Sequence, residues 1–268
     1  VARMIISGYE FMGELPFKDV YFTSILRDHT GQKLSKSLGN SPDPFDLFDE
    51  YGTDAVRFGV MLMAPQGLDV LFSKERLEIG RNFMNKLWNA CRFLQMNMSD
   101  QDFPDVDLDY KNIELPDQWI LSRLNKMIRD YNDHLNRFRF NEAAKSLYDF
   151  TWNDFCDWYV EIAKIRFYGN DSKKADTTRS VALECVRSVL ILMHPFSPFI
   201  TEELWYYFRK EGSTDIIISD WKRTGGCENK FAEKRMNVLK NVVTKIRSVR
   251  SRMNVAPSKY SDLVIQCK

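Results

Sequence analysis

From Ser73 onward the chain repeats apolar residues at the spacing of an α-helix, and this period constrains the fold more than any other feature of the sequence. Leu77, Met84, Leu87, Cys91, Leu94 and Met98 share one face of a helix expected over about 73–98, with Ser73 as its cap. Further helices are expected over about 117–137, 141–167, 176–194 and 198–210. Asn141 suits the cap of the second of these, Pro195 stops the third, and Ser197 with Pro198 suits the start of the last. Amphipathic helices joined by short connections must bury their stripes on one another, so residues 73–225 read as a helical bundle. An acidic stretch from Asp100 to Asp117, with seven acids, one base and two prolines, reads as a surface linker.

The flanks differ. Residues 1–12 read as a helix, and Val20 to Leu26, rich in strand formers, as a strand. A polar loop from Arg27 to Asn40 follows, and Thr53 suits the cap of a helix running to about Met63. Residues 1–72 are therefore α/β, yet too short for a whole nucleotide-binding domain. Val1 in place of Met suggests a start inside a longer protein. At the other end, Met236, Leu239, Val243, Ile246, Val249 and Met253 form the stripe of another helix, with Lys240, Lys245, Arg247, Arg250 and Arg252 mostly away from it. Leu263 to Ile265 would open a strand. The expected fold is mainly α: a truncated α/β remnant over 1–72, the bundle over 73–225, and the start of a small α/β element over 226–268.

Charge is near balance, with 38 Lys+Arg against 37 Asp+Glu, but it is unevenly spread. Residues 1–72 hold 6 basic and 10 acidic residues, whereas 226–268 hold 10 and 3, a net of +7. The C-terminal stretch is thus the expected contact with a polyanion. No apolar run reaches the roughly 18 residues of a membrane span. The five cysteines form no C-x-x-C pair and are odd in number, which favours reduced apolar fillers over a disulfide frame or a zinc site.

The chemistry concentrates in Lys33-Leu34-Ser35-Lys36-Ser37. Two lysines three apart, among small hydroxyl residues and between Gly31 and Gly39, can close over a triphosphate and neutralise charge that develops as phosphate oxygens separate. Ser35 and Ser37 add hydroxyl donors. Taken alone the pentapeptide is weak, because most such runs are solvated loops. Its continuation as Leu38-Gly39-Asn40-Ser41-Pro42-Asp43-Pro44 is what makes it specific: the whole stretch resembles the second signature of the class I aminoacyl-tRNA synthetases.

Thr53 to Phe58 and His194 to Trp205 resemble the subgroup that handles Val, Ile and Leu, while Arg81 to Ala90, Trp152 to Tyr159 and Arg252 to Lys259 are similar to the valyl family. The resemblance runs in order along the whole chain. It implies a Rossmann-type nucleotide fold upstream of the loop. It also implies that Lys33, Ser35, Lys36 and Ser37 bind ATP (with Mg2+), Lys36 being the most critical and Lys33 assisting, and that the bundle binds the anticodon of a tRNA(Val). The activity implied is ATP-dependent ligation of valine to tRNA, by a cytoplasmic monomer without a membrane segment or a metal site in this part. The isoleucyl and leucyl families, or a tRNA-binding module without catalysis, are the alternatives.

The family's H-x-G-H signature does not occur, since the only histidines are His29, His134 and His194, and the hydrolytic editing domain lies outside the match as well. This polypeptide alone is therefore expected to be inactive. For tRNA, Arg81, Asn85, Asn89 and Arg92 fall on one polar face of the helix at 73–98, with Arg76 and Phe93 as further contacts; a solvated face is the plain alternative. The stripe of Trp152, Phe155, Trp158 and Tyr159 is expected in the core.

Overall fold

A computed structural model describes residues 1–65, 67–98, 113–210, 212–223, 228–256, 258–260, 262 and 264. Residues 100–112 of the expected acidic linker lie outside the described residues, as does most of the C-terminal strand, whereas the end of the linker, 115–117, is the start of a helix with Asp117 buried rather than surface loop. The elements are α1 (Ala2–Met12), β1 (Leu26–Arg27), α2 (Pro44–Tyr51), α3 (Thr53–Met63), β2 (Val70–Leu71), α4 (Lys74–Asn97), α5 (Leu115–Asn136), α6 (Phe140–Asp149), α7 (Val160–Phe167), α8 (Ser172–Met193), α9 (Pro198–Phe208) and α10 (Lys230–Arg252).

The expected helices are present, with two changes of detail. First, α6 and α7 are joined by a π-helical stretch, Phe150–Tyr159, so the helical path over 140–167 is continuous but wider in its middle. The backbone N–H of Val160 donates to the carbonyl of Phe155, five residues back, and the rings of Phe150 and Phe155, also five apart, stack at 6.4 Å. Second, several caps differ. Ser73 turns its hydroxyl to Glu75, Asn141 lies inside α6 behind Arg139, and α3 starts from Gly52 (φ 91°) without help from Thr53. The strand is shorter than expected: only Leu26–Arg27 pairs, in parallel with Val70–Leu71, and Val20, Phe22 and Ile25 stay exposed. A strand former makes a strand only beside a neighbour, and among the described residues no further strand lies beside β1.

Trp119, Tyr131, Tyr159, Phe58, Phe83 and Phe155 are the largest fully buried side chains. The two tyrosine hydroxyls are satisfied: that of Tyr131 donates to the Leu192 carbonyl at 2.7 Å, and that of Tyr159 to Asp117 at 2.6 Å. Asp117, 1% exposed, also accepts from Arg166 at 2.6 Å, which ties α5 to α7 inside the bundle. Cys91, Cys156 and Cys185 are buried and unpaired. At α3 and α4 the backbones come together at Gly59 and Gly80, where an added Cβ would lie 3.0 Å from the Arg76 carbonyl and 2.2 Å from that of Ala55.

In contrast, α1 buries no residue and exposes Met4, Ile6, Tyr9, Phe11 and Met12. The segment after it is pinned by Tyr21 against Phe140, 5.1 Å between centroids, and by the Ser24 hydroxyl donating to the Pro65 carbonyl at 2.6 Å. No described helix is long and apolar enough to cross a membrane.

Candidate phosphate loop and nucleic-acid surface

The lysine loop leaves the end of β1, beside the parallel partner β2. Arg27 is fixed by Asp69 at 2.6 Å, and the chain turns back through Gly31 (φ 84°) so that Leu34 N–H donates to the Leu26 carbonyl at 3.0 Å. Asp28 holds this turn: its carboxylate accepts from Thr30 N–H (2.9 Å), the Thr30 hydroxyl (2.6 Å) and Gln32 N–H (2.9 Å). Asn40 holds the far end. Its Nδ2 donates to Asp28 (2.8 Å) and to the Lys33 carbonyl (3.2 Å), and its Oδ1 accepts from Ser35 N–H (2.9 Å). Led by the Thr30 and Asn40 bonds, these donors lower the Asp28 carboxyl to about 2.

Between the two anchors, Ser35 and Ser37 share a 2.8 Å hydroxyl contact, and Lys36–Leu38 form one tight helical turn closed at Gly39 (φ 66°). Lys33 and Lys36 are exposed, and among the described residues neither ammonium has an ion-pair partner. His29 is also exposed. The arrangement offers two free cations and two hydroxyls on a backbone that is already fixed, which is what binding and charge neutralisation of a polyphosphate require.

Next, Asp43 accepts from Phe45 N–H at 2.8 Å and caps α2 with Pro44 in its first turn, a role legible from the dipeptide itself. From there α2 leads into α3, and α3 is clamped to the start of α9. Asp54 accepts from Ile200 N–H at 2.6 Å and Phe199 N–H at 3.5 Å, while Arg57 donates to the carbonyls of Phe196 (3.0 Å) and Pro195 (3.2 Å). Ser197 stands at the cap position but its side chain makes no cap bond, so the cap of α9 is borrowed from α3. Burial raises the Asp54 carboxyl, against the opposing pull of the α9 N–H groups and Arg57. Two stretches singled out separately in the sequence, around Thr53–Phe58 and His194–Trp205, are thus one joint.

The polar face of α4 does not form a single surface. Arg81 and Asn85 line a groove with Tyr51, Trp88 and Phe199, on the side of the joint; Arg81 also pairs with Glu78 at 2.8 Å. Asn89 and Phe93 line a second, larger groove with Trp158, Lys164 and Arg247. Arg76 and Arg92 are exposed and line neither.

The aromatic stripe divides in the same way. Phe155 and Tyr159 are core, but Trp152 and Trp158 are half-buried under cations: Lys86 lies 3.7 Å over Trp152, and Lys240 and Arg247 lie 5.5 and 5.7 Å over Trp158. Lys240 points inward to Asp154 at 3.1 Å, and Arg123 meets the same carboxylate at 2.8 Å. Only Met236 of the expected α10 stripe is buried; Leu239, Val249 and Met253 are at least half exposed. Among the described residues no group of three or more His, Cys, Asp or Glu is arranged to hold a metal ion.

Comparison with known proteins agrees along the chain. The family "tRNA synthetases class I (I, L, M and V)" matches residues 1–73, and the family "Anticodon-binding domain of tRNA ligase" matches residues 117–265. Curated relatives include the valine–tRNA ligases of Fusobacterium nucleatum, 44% identical over 99% of this chain, and of Bacillus thuringiensis, 41% identical over 100% of it. The chain spans about 30% of the length of each.

Two solved structures share the fold. One is the LeuRS of Agrobacterium radiobacter in its ternary complex with tRNA and LeuAMS, with a TM-score of 0.59 at 20% identity over 86% of this chain and 27% of that one. The other is Mycobacterium tuberculosis methionyl-tRNA synthetase with methionyl-adenylate, at 0.54 and 21% over 68% and 36%. A lysine loop on a parallel pair, a helical bundle clamped to it and matches over the whole length lead to one conclusion: this chain belongs to the family of the anticodon-binding domain of tRNA ligases, and it is similar to class I tRNA synthetases over residues 1–73 and to valine–tRNA ligases along its length.

Proposed function

We propose that this chain is part of an enzyme that activates valine with ATP and Mg2+ and transfers it to tRNA(Val), working as a cytoplasmic monomer. Residues 1–72 supply the lysine loop of the catalytic domain, 73–225 bind the anticodon arm, and 226–268 add a basic helix. Lys36 and Lys33 neutralise the triphosphate as pyrophosphate separates, with Ser35 and Ser37 as additional donors. The observation that carries this reading is the pair of exposed ammonium groups, without an ion-pair partner among the described residues, on an otherwise fixed loop.

For tRNA, the groove holding Asn89, Phe93 and Trp158 joins an amide able to read base edges to aromatic faces able to stack, with Lys164 and Arg247 at hand for phosphates. Arg81 and Asn85 belong to the neighbouring groove and contact a different part of the same arm; Arg76 and Arg92 add charge from outside both.

Titration of the chain with a valine anticodon stem-loop, against a stem-loop of another specificity, tests the reading. Preference for the valine RNA is expected, and equal binding of both would refute it. The chain alone is expected to show no valine-dependent ATP–pyrophosphate exchange.

A further inference from the structure

We propose that Asp28 and Asn40 are positioning residues that hold the internal shape of the lysine loop, so that Lys33 and Lys36 keep a fixed backbone relation to one another and meet an anion together. The inference rests on reading those lysines as triphosphate contacts.

The loop begins and ends on this pair, closed by the 2.8 Å bond from Asn40 Nδ2 to Asp28. Each side chain then reaches inward to the backbone. Asp28 fixes the amides of Thr30 and Gln32; Asn40 fixes the carbonyl of Lys33 and the amide of Ser35. The main chain on both sides of the lysines is therefore held, while the lysine side chains are left free. Preorganised electrostatic stabilisation depends on that division, because donors already in place need no rearrangement as charge develops.

Asp28 has a second consequence. A carboxylate so close in sequence to two lysines would ordinarily pair with one and cancel it. Here it is occupied by four neutral donors, and both ammonium groups remain unpaired among the described residues.

Residue-resolved amide exchange on this chain tests the proposal. In Asp28→Asn every flip of the two amides leaves one donor facing another, and in Asn40→Asp two carboxylates face each other. Each single variant should speed exchange of the Ser35 amide about tenfold or more, as expected for loss of a charge-assisted bond, with α8 unchanged. The double exchange, Asp28→Asn with Asn40→Asp, restores a donor opposite an acceptor and keeps an acceptor for Ser35, while giving up the 3.2 Å bond to the Lys33 carbonyl. Protection at Ser35 should return to within about threefold of the original. Unchanged exchange in both single variants would overturn the proposal, and so would loss in the singles with no return in the double.

Tripolyphosphate is the probe for the lysines: its binding should weaken about tenfold in either single variant, recover in the double, and vanish in Lys36→Ala while Ser35 stays protected. Failure of the unaltered chain to bind tripolyphosphate would overturn the triphosphate reading, and the exchange data would then decide loop positioning by themselves.

Discussion

Asp28 is half-buried, and the bonds it accepts, led by those from Thr30 and Asn40, outweigh the burial that would raise it, which makes it a pH marker for the loop. Because its folded pKa, about 2, lies below the ordinary carboxylate value, its contribution is complete at neutral pH. It should fade as pH falls from near 4 toward 2, when protonation removes the acceptor for Thr30, Gln32 and Asn40. The amide signals of Thr30 and Gln32 should titrate together across that window, ahead of those in the bundle. Lys36 makes the complementary prediction in the full-length enzyme. On the proposed role of Lys36 in valine activation, Lys36→Ala should lower kcat by ~10²–10³-fold with little change in KM for ATP, because the charge assigned to it develops in the transition state. The two lysines and two serines could be singled out only with the residues that follow them, and the structure carries all four on one loop. The roles of Asp28 and Asn40 were not legible, because a loop hydrogen-bond network has no periodic signature; Asn40 was visible only as a letter in a signature.

The bundle helices α4 to α9 followed from period, cap residues and prolines, since a stripe that must be covered is a physical demand written in every turn; α2 was not anticipated, and α1 and α10 leave most of their apolar residues uncovered. Strand and cap assignments fared worse for a related reason: both depend on what lies opposite. Val20 to Leu26 has the right residues, yet only its last position, Leu26, has a partner in register, the other paired residue being Arg27 just beyond it. The π-helical stretch could not be read either, because its stacked aromatic pair keeps a spacing of five that ordinary helical counting ignores. Two predictions belong at this scale. Gly80→Ala forces a Cβ against the Ala55 carbonyl and should cost about 3 kcal/mol in denaturant unfolding, at the upper end of overpacking, unless α3 moves away from α4. Arg166→Met leaves Asp117 buried without its charge partner and should cost roughly 3–5 kcal/mol, read as a lower midpoint without a change in slope.

At the scale of the whole molecule, the joint between α3 and α9 connects residues about 145 positions apart in sequence. Nothing short-range announces that Asp54 caps a distant helix, so the two halves of the joint could be picked out singly but not put together. Asp54→Ala should destabilise the chain by ~1–2 kcal/mol through loss of the cap, and exchange should quicken at the start of α9 as well as in α3. Charge adds a global prediction: binding of an anticodon stem-loop should fall steeply between 50 and 200 mM salt, with a slope of about −0.7 per phosphate contacted in single-stranded regions. The glycine crossing behind the joint leads further. A nucleic acid grasped at two separated places measures the distance between them, and any compliance in the spacer blurs the measurement. With Gly59 and Gly80 letting two helical backbones touch and Asp54 and Arg57 clamping a third helix across them, the arms of this caliper have little room to spread. A partner of the wrong length would have to deform itself instead.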